Sequence, residues 1–321
     1  MKEFAQKNSF RKMVTQILPT LATRVLALDR VPKQLVLSVS EQEELIGSVF
    51  SRIDPPFTLP RYQRLELLEA IERSNPKVAE RVYEHLAELL NEKEDLESSN
   101  CVGMFTIPAA VCLFHVPSSP GSFVQAGSTG FVTWEAAKCL AWYLWEGNFL
   151  WEDILELGCG SGVTGILGVL SGRVSRYVFS DYHESTLAQA RENCVLNEID
   201  MTKVEFRLLN FLHPCTKPVS YSTIVAADIL YDESLCEGLV RYLAAVEFGQ
   251  ALIVSTIRTE ETYALFIKAL SQSSGQLQFR VLKSAKMSQW IDTAGGQWQS
   301  FLNSSTPLFD PIVELVQITK R

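Results

Sequence analysis

Apolar residues recur at helical spacing in the first part of the chain: Leu65, Leu67, Leu68 and Ile71, then Val78, Val82, Leu86, Leu89 and Leu90. Charged residues fill the positions between them, which predicts amphipathic helices. Pro55-Pro56, Pro60 and Pro76 mark helix boundaries, and Ser74-Asn75 ahead of Pro76 predicts a helix start with proline in its first turn. A polar run over 91–100 closes this part. Residues 1–100 are therefore expected to form a helical N-terminal domain, either a partner-recognition module or a cap packed on the larger domain beyond it.

The pattern then changes. Residues 102–116 are rich in β-branched and aromatic side chains and are interrupted at Pro108, which predicts a short hairpin. A helix is expected over 133–147, with Trp134, Ala137, Leu140, Ala141 and Leu144 on one face. Beyond it, strands are predicted at 154–157, 176–180, 203–208, 223–227 and 251–255. Helices are predicted from about 162 and over 185–197, 233–246 and 260–271. Strands alternating with helices imply an α/β, Rossmann-like fold, a mostly parallel sheet covered on both faces. The last two strands, 277–284 and 312–319, have no convincing helix between them and predict an antiparallel edge hairpin. Residues 101–321 are taken as one domain.

Composition narrows the class. Apolar residues make up 47% and charged residues 21%, enough for a sizeable core. The net charge of −8 speaks against a broad nucleic-acid-binding surface. Most of the excess acid lies after residue 100, where 15 basic face 21 acidic side chains; solubility accounts for that more simply than a basic partner. The seven cysteines include no Cys-x-x-Cys pair, so neither a disulfide framework nor a zinc site is expected. The N-terminus lacks the apolar core of a secretory signal, and no apolar run approaches the roughly 20 residues that cross a bilayer. A monomeric cytoplasmic protein without membrane contact is the expectation.

The chemistry begins at residues 154–165, Ile-Leu-Glu-Leu-Gly-Cys-Gly-Ser-Gly-Val-Thr-Gly, where a buried strand turns into a helix over alternate glycines. Such a turn exposes backbone to a nucleotide-like ligand. Gly160-x-Gly162-x-x-Gly165 satisfies the dinucleotide fingerprint, with Asp181 about 20 residues on. Counted from Gly158, the first glycine after the strand, the third position is Val163 instead. Glu156 discriminates better: a carboxylate aimed into the turn repels a pyrophosphate and suits the cationic methionine end of S-adenosylmethionine. Ligands in open α/β sheets bind beyond the carboxyl ends of strands. There the chain places Asp181, able to hold two ribose hydroxyls, then Asn210-Phe211 for an adenine edge and face, then Ala227-Asp228-Ile229-Leu230-Tyr231.

These motifs resemble the class I, seven-stranded S-adenosylmethionine-dependent methyltransferases over roughly 125–321. Three features are similar to family 16, the protein-lysine methyltransferases: Ser128-Thr129-Gly130-Phe131-Val132-Thr133-Trp134, Arg191-Glu192-Asn193-x-x-x-Asn197, and Asp228-x-x-Tyr231. Thr256-Ile257-Arg258 is similar to the subgroup acting on elongation factor 2. Asn210-Phe211 departs from the Asp-Trp usual there. The resemblance implies that Trp134, Glu156, Gly158, Gly160, Gly162, Asp181, Asn210, Phe211 and Ala227 hold S-adenosylmethionine. It implies Asp228 and Tyr231 as catalytic residues, no metal, and elongation factor 2 as the protein substrate.

Such a transfer needs a lysine freed of its proton and held in line with the methyl group. Asp228 would orient the amine and Tyr231 would line the channel, on one side if their loop begins a helical turn. Asn193 and Asn197 read as helix surface and C-cap, His183 as ordinary loop, and Cys159 as a small residue filling the turn. Two other readings stay open: methylation of a different protein or a small molecule, and a binding protein that kept the pocket without catalysis.

Overall fold

The computed structural model describes residues 37–43, 65, 68–69, 71–73, 75–91, 102–107, 110–115, 130–147, 149–213, 220–273, 275–290 and 310–321. They fall into two compact units that divide near residue 124.

In the first unit, Ser38 and Glu41 form a capping box. The Ser38 N–H donates to Glu41 Oε2 at 2.8 Å, and the Glu41 N–H donates to Ser38 Oγ at 3.3 Å. Gln42 is wholly buried, and its amide spans three backbone groups: Nε2 donates to Leu37 and Lys77 carbonyls, and Oε1 accepts from the Ala79 N–H. A buried amide is tolerated when its bonds are met in this way. Helix α1 is Glu80–Asn91, with Val82 and Leu86 buried. Pro76 does not open this helix, contrary to the sequence expectation. Asn75 instead binds backward, its Nδ2 donating to the Ile71 carbonyl, and four further residues precede α1. The expected hairpin is present as β1, Val102–Ile107, and β2, Ala110–His115, antiparallel with Val102 opposite His115. Most of the helical expectation before residue 65, and the polar run after Asn91, lie outside the described residues.

The second unit is α/β. Its elements are α2 (Glu135–Glu146), β3 (Trp151–Leu157), α3 (Val163–Leu170), β4 (Val174–Asp181), α4 (Glu184–Leu196) and β5 (Val204–Leu208). Next come β6 (Ser220–Ala227), α5 (Glu233–Ala245), β7 (Glu247–Ile257), α6 (Glu260–Ser271), β8 (Leu277–Lys286), α7 (Met287–Trp290) and β9 (Ile312–Lys320). The seven strands lie in the order β5-β4-β3-β6-β7-β9-β8. Neighbours from β5 to β7 are parallel, and β9 runs antiparallel to both β7 and β8. This is the Rossmann-like sheet with an antiparallel edge hairpin that the alternation predicted.

Strand β3 runs into the interior, with Ile154 to Leu157 all buried, as expected for a central strand covered on both faces. Leu155, Leu157, Ile224, Ala226 and Ile253 pack with Leu239, Leu243 and Phe266 of α5 and α6 into one core. Side chains alternate along a strand, so Glu156 faces the other way, toward α3. The chain leaves β3 on the β4 side and returns to it on the β6 side. The ends of β3 and β6 therefore form the topological switch point, where a ligand crevice opens.

Candidate active site

Three left-handed glycines make the turn after β3, with φ of 67° at Gly158, 52° at Gly160 and 81° at Gly162. The Cys159 N–H donates to the Ser180 carbonyl at 2.8 Å, and the Gly162 N–H donates to the Cys159 carbonyl at 2.9 Å. At Gly160 a Cβ would stand 3.0 Å from the Gly130 carbonyl oxygen, so a side chain there conflicts with both dihedral and space. The close helix–strand packing of a third glycine falls on Gly165. A Cβ at Gly165 would meet Phe179 at 2.3 Å and Tyr177 at 2.4 Å. Counting glycines therefore does not separate the cofactor classes, and the carboxylates must.

Beyond the turn lies a cavity of about 280 Å³. Its wall brings together Trp134, Glu156, Gly158, Gly160 and Asp181 from the first half of the unit. Asn210, Phe211, Ala227, Asp228 and Tyr231 come from the second half. Gly162 is the exception: it is the N-cap of α3 and packs against Ala190, behind the lining.

Glu156 is 1% exposed, and its Oε2 has no hydrogen-bond partner among the described residues. Burial pushes its carboxyl up to about 8; the hydroxyls of Tyr177 and Thr164 oppose that rise, and Asp181 adds to it. An orphaned carboxylate oxygen at the floor of a cavity is matched by a cation that the protein does not itself supply. Asp181 is also buried, and burial raises its pKa, offset by backbone donors. Its Oδ2 accepts from the Gly160 N–H at 3.3 Å and its Oδ1 from the His183 N–H at 3.0 Å. Cys159 is buried, and desolvation holds its thiol well above the ordinary range. A thiolate nucleophile is thereby disfavoured, as expected of a turn filler.

Asn197 is the C-cap of α4, as expected, whereas Asn193 differs from expectation: it is buried rather than on a helix surface, and Asn197 is buried with it. Asn193 Nδ2 donates to the Ser161 carbonyl at 2.8 Å, and Asn197 Nδ2 donates to the Asn193 carbonyl at 2.8 Å. Helix α4 thus braces the glycine turn from behind. Thr133 adds a second brace through its hydroxyl, 2.9 Å from Ser161 Oγ. The paired asparagines at helical spacing were the available signal, since two amides on one face need partners if that face is buried.

Asn210 and Phe211 come after β5. Asn210 Oδ1 accepts from the Leu212 N–H at 2.9 Å, which fixes the turn, and Phe211 packs against the core. His183 is the N-cap residue of α4, and its ring lies 3.8 Å from that of Tyr182.

Asp228 and Tyr231 do not share a helical turn. Asp228 has φ of 52°, and α5 begins only after the N-cap Asp232. Both still line the cavity, but in different settings: the Asp228 carboxylate is buried, whereas Tyr231 is 63% exposed. Asp228 Oδ1 accepts from the Thr256 N–H at 2.7 Å. Its Oδ2 accepts from Thr256 Oγ1 at 2.8 Å, Arg258 Nη2 at 3.2 Å and, at 3.4 Å, the Ala136 N–H. That last bond meets an orphan donor at the start of α2, whose N-cap Trp134 offers no side-chain bond. Burial raises the Asp228 pKa, Thr256 and Arg258 lower it, and Glu135 raises it again. In the sequence, Thr256 and Arg258 are visible only through resemblance, and Glu135 is missed altogether. Its one signal is its place beside Trp134.

A second cavity, of about 400 Å³, shares Trp134, Asp228 and Tyr231 with the first and reaches the end of β7. Among the described residues no group of three or more His, Cys, Asp or Glu side chains is arranged to hold a metal, and no helix is long and apolar enough to cross a membrane.

Residues 124–273 match the model of a family described as lysine methyltransferase. The chain is 32% identical to the mouse protein-lysine N-methyltransferase EEF2KMT over 213 residues, 60% of this chain and 62% of that protein. It is 30% identical to the human protein FAM86B2 over 229 residues, 64% of this chain and 68% of that protein. The Saccharomyces cerevisiae protein-lysine N-methyltransferase EFM3 is 28% identical over 189 residues, 47% of this chain and 51% of that protein.

Proposed function

The chain belongs to the lysine methyltransferase family, and from that premise we propose that it is a protein-lysine N-methyltransferase using S-adenosylmethionine, with elongation factor 2 as its acceptor. The observation that carries this reading is the orphaned Glu156 oxygen on the floor of the glycine-walled cavity. A pyrophosphate gains nothing from that carboxyl and keeps it protonated, whereas a cationic amino-acid end draws it into the charged form and pairs with it. The residues present fit that cofactor: Glu156 faces its ammonium, the glycine turn leaves room for its backbone, and Asp181 accepts from ribose hydroxyls. Asn210, Phe211 and Ala227 take the adenine, and Trp134 closes one side. The naming of the mouse relative supports elongation factor 2 as the acceptor. We also assign the helical part before residue 101 to docking that protein.

When bound, the cofactor supplies a methyl group already activated on a positive sulfur. The chain's own task is to hold the acceptor amine in line after its ammonium has given its proton to water. A lysine ammonium ordinarily loses its proton near pH 10.4 and has no lone pair until it does. Enclosure among Trp134, Tyr231 and Leu230 disfavours the charged form, and Asp228 sets the direction of the amine. Tyr231 is exposed at the rim, where it lines the entry.

The test is to incubate the purified chain with labelled S-adenosylmethionine and elongation factor 2 from cells lacking this modification. Label is expected on a lysine of that factor. Label confined to small molecules would overturn the acceptor, and no cofactor binding by calorimetry would overturn the whole reading.

A further inference from the structure

Gly165 leaves room for two rings of β4, Phe179 and Tyr177, which a Cβ there would meet at 2.3 and 2.4 Å. Both rings are wholly buried, and only the second carries a polar atom. Tyr177 Oη has no hydrogen-bond partner among the described residues. A phenylalanine would fill the same space, and burying a bare hydroxyl costs free energy. The retained hydroxyl therefore implies a partner that takes it up in some state of the chain.

The sheet register points to that partner. Ile154 pairs with Tyr177 and Glu156 with Phe179, so Tyr177 is the diagonal neighbour of Glu156 on the face that meets α3. An aromatic side chain spans that diagonal of about 7–8 Å. Glu156 Oε2 likewise lacks a partner among the described residues. Each group also acts on the other. The Tyr177 hydroxyl is the larger of the two effects that oppose the rise of the Glu156 carboxyl. Burial first, and then Glu156, drives the Tyr177 pKa well above its ordinary range, so the hydroxyl keeps its proton and can donate it. Thr164 provides the other opposing effect, but its hydroxyl donates to the Ala137 carbonyl at 3.4 Å. Glu156 lines the cofactor cavity and Tyr177 does not, so the hydroxyl reaches the carboxyl from the core.

Other titratable groups surround the pair. Asp181 raises the Glu156 carboxyl, and the buried Cys159 and Cys194 thiols are pushed up in turn and stay neutral. Asp228 follows β6, and α2 carries Glu135, the buried Lys138 and Cys139. Replacing the Tyr177 hydroxyl alone leaves all of these in place.

We propose that Tyr177 is a positioning residue for the cofactor: its hydroxyl closes a hydrogen bond to the Glu156 carboxylate from the core side when an ammonium meets that carboxylate from the cavity side. While Glu156 is protonated, the hydroxyl faces only a weak acceptor. Once the carboxylate forms, the bond is charge-assisted and roughly twice as strong. Tyr177 thus sets how readily Glu156 gives up its proton, and with it the pH range over which the chain takes up the amino-acid end of S-adenosylmethionine. The assignment rests on the cofactor reading above, but the pairing itself can be measured in the free chain.

The experiment titrates the full chain, carbon-13 labelled at its glutamate carboxyls, by NMR, with Glu156→Gln to identify the signal. Glu156 is expected to titrate at about 8 in the wild type, and about one pH unit higher in Tyr177→Phe. S-Adenosylhomocysteine is then bound by calorimetry at pH 7 and pH 8.5. Tyr177→Phe should weaken it about ten-fold at the lower pH and only about three-fold at the higher. A loosened core would weaken it equally at both. 5′-Methylthioadenosine, which has no amino-acid end, should bind the two chains within about two-fold of each other. In a Glu156→Gln background, Tyr177→Phe should change S-adenosylhomocysteine affinity less than about two-fold. An unmoved Glu156 titration, or a loss of affinity that is the same at both pH values, overturns the assignment. Should Tyr177→Phe not fold, Tyr177→Leu, which also lacks the hydroxyl, takes its place in both measurements. A moved titration without any binding of S-adenosylhomocysteine upholds the pair and overturns the cofactor reading.

Discussion

Asp181 at the end of β4 and Asp228 at the end of β6 are both buried acids on one cavity wall, yet they are held by different means. Asp181 takes its bonds from the backbone N–H groups of Gly160 and His183. Asp228 takes most of its bonds from the side chain of Arg258 and both the hydroxyl and the N–H of Thr256. The β3–β4 half is a cradle of main chain, fixed by glycine dihedrals and braced by Asn193. The β6–β7 half is a cluster of side chains. A main-chain cradle tolerates little change of shape and suits a cofactor that is always the same molecule. A side-chain cluster can be tuned by single replacements and suits the part that chooses an acceptor.

The contrast can be broken most forcefully at Asp228. Asp228→Asn keeps the shape but removes the charge, and transfer to the acceptor is expected to fall about a thousand-fold while cofactor affinity stays within about three-fold. Matched losses in both measurements would erase the division between halves. Gly160→Val attacks the other side: with φ of 52° and a carbonyl 3.0 Å from the new Cβ, cofactor affinity should drop about a hundred-fold by calorimetry. Retained affinity would mean that the cradle yields.

Asn193→Ala tests the brace. It leaves the Ser161 carbonyl without its buried partner, which should cost about 1–3 kcal/mol in urea unfolding and weaken the cofactor more than the acceptor. A stability loss with unchanged cofactor binding would make Asn193 merely a core residue. The smallest expected effect is a slope. Glu156 is raised from 4.5 to about 8 in the folded chain. Between those values the folded state keeps a proton that the unfolded state has lost. The stability contributed is complete below the lower value and is lost as pH rises through the upper one. The free chain should therefore lose thermal stability from pH 5 to 8 more steeply than Glu156→Gln. Cofactor binding near neutral pH should release a proton, seen as a buffer-dependent heat. Equal slopes and no proton release would remove Glu156 from the cofactor's ammonium.

The same division explains which parts of the site could be read from sequence. Glu156, the three turn glycines and Asp181 sit within 26 consecutive positions, because one β–α–β unit builds them. Periodicity finds such units. It misses the polar starts of β6 and β7, where Ser220 and Glu247 pair across the sheet without an apolar pattern. It also misplaces Asp228 and Tyr231 on a helical turn. Spacing cannot reveal a left-handed aspartate, whose carboxylate here is held by Thr256 and Arg258 at the end of β7. The bond between Glu135 and Arg258 joins residues 123 positions apart. Each of these two residues, read alone, is an ordinary charge at the edge of an element.

The bond from Ala136 to Asp228 spans 92 positions of chain, and that distance sets an order of events during synthesis. The first turn of α2 leaves the ribosome long before β6 exists, and its exposed donors must wait for Asp228 to be made. The glycine turn needs only β3, β4 and the helices beside them. A growing chain thus completes the glycine turn and Asp181 first, then the side of the cavity formed by Asn210, Phe211 and Ala227, and gains the wall around Asp228 only once β7 has been added. Nascent chains halted before β6 carry half a site.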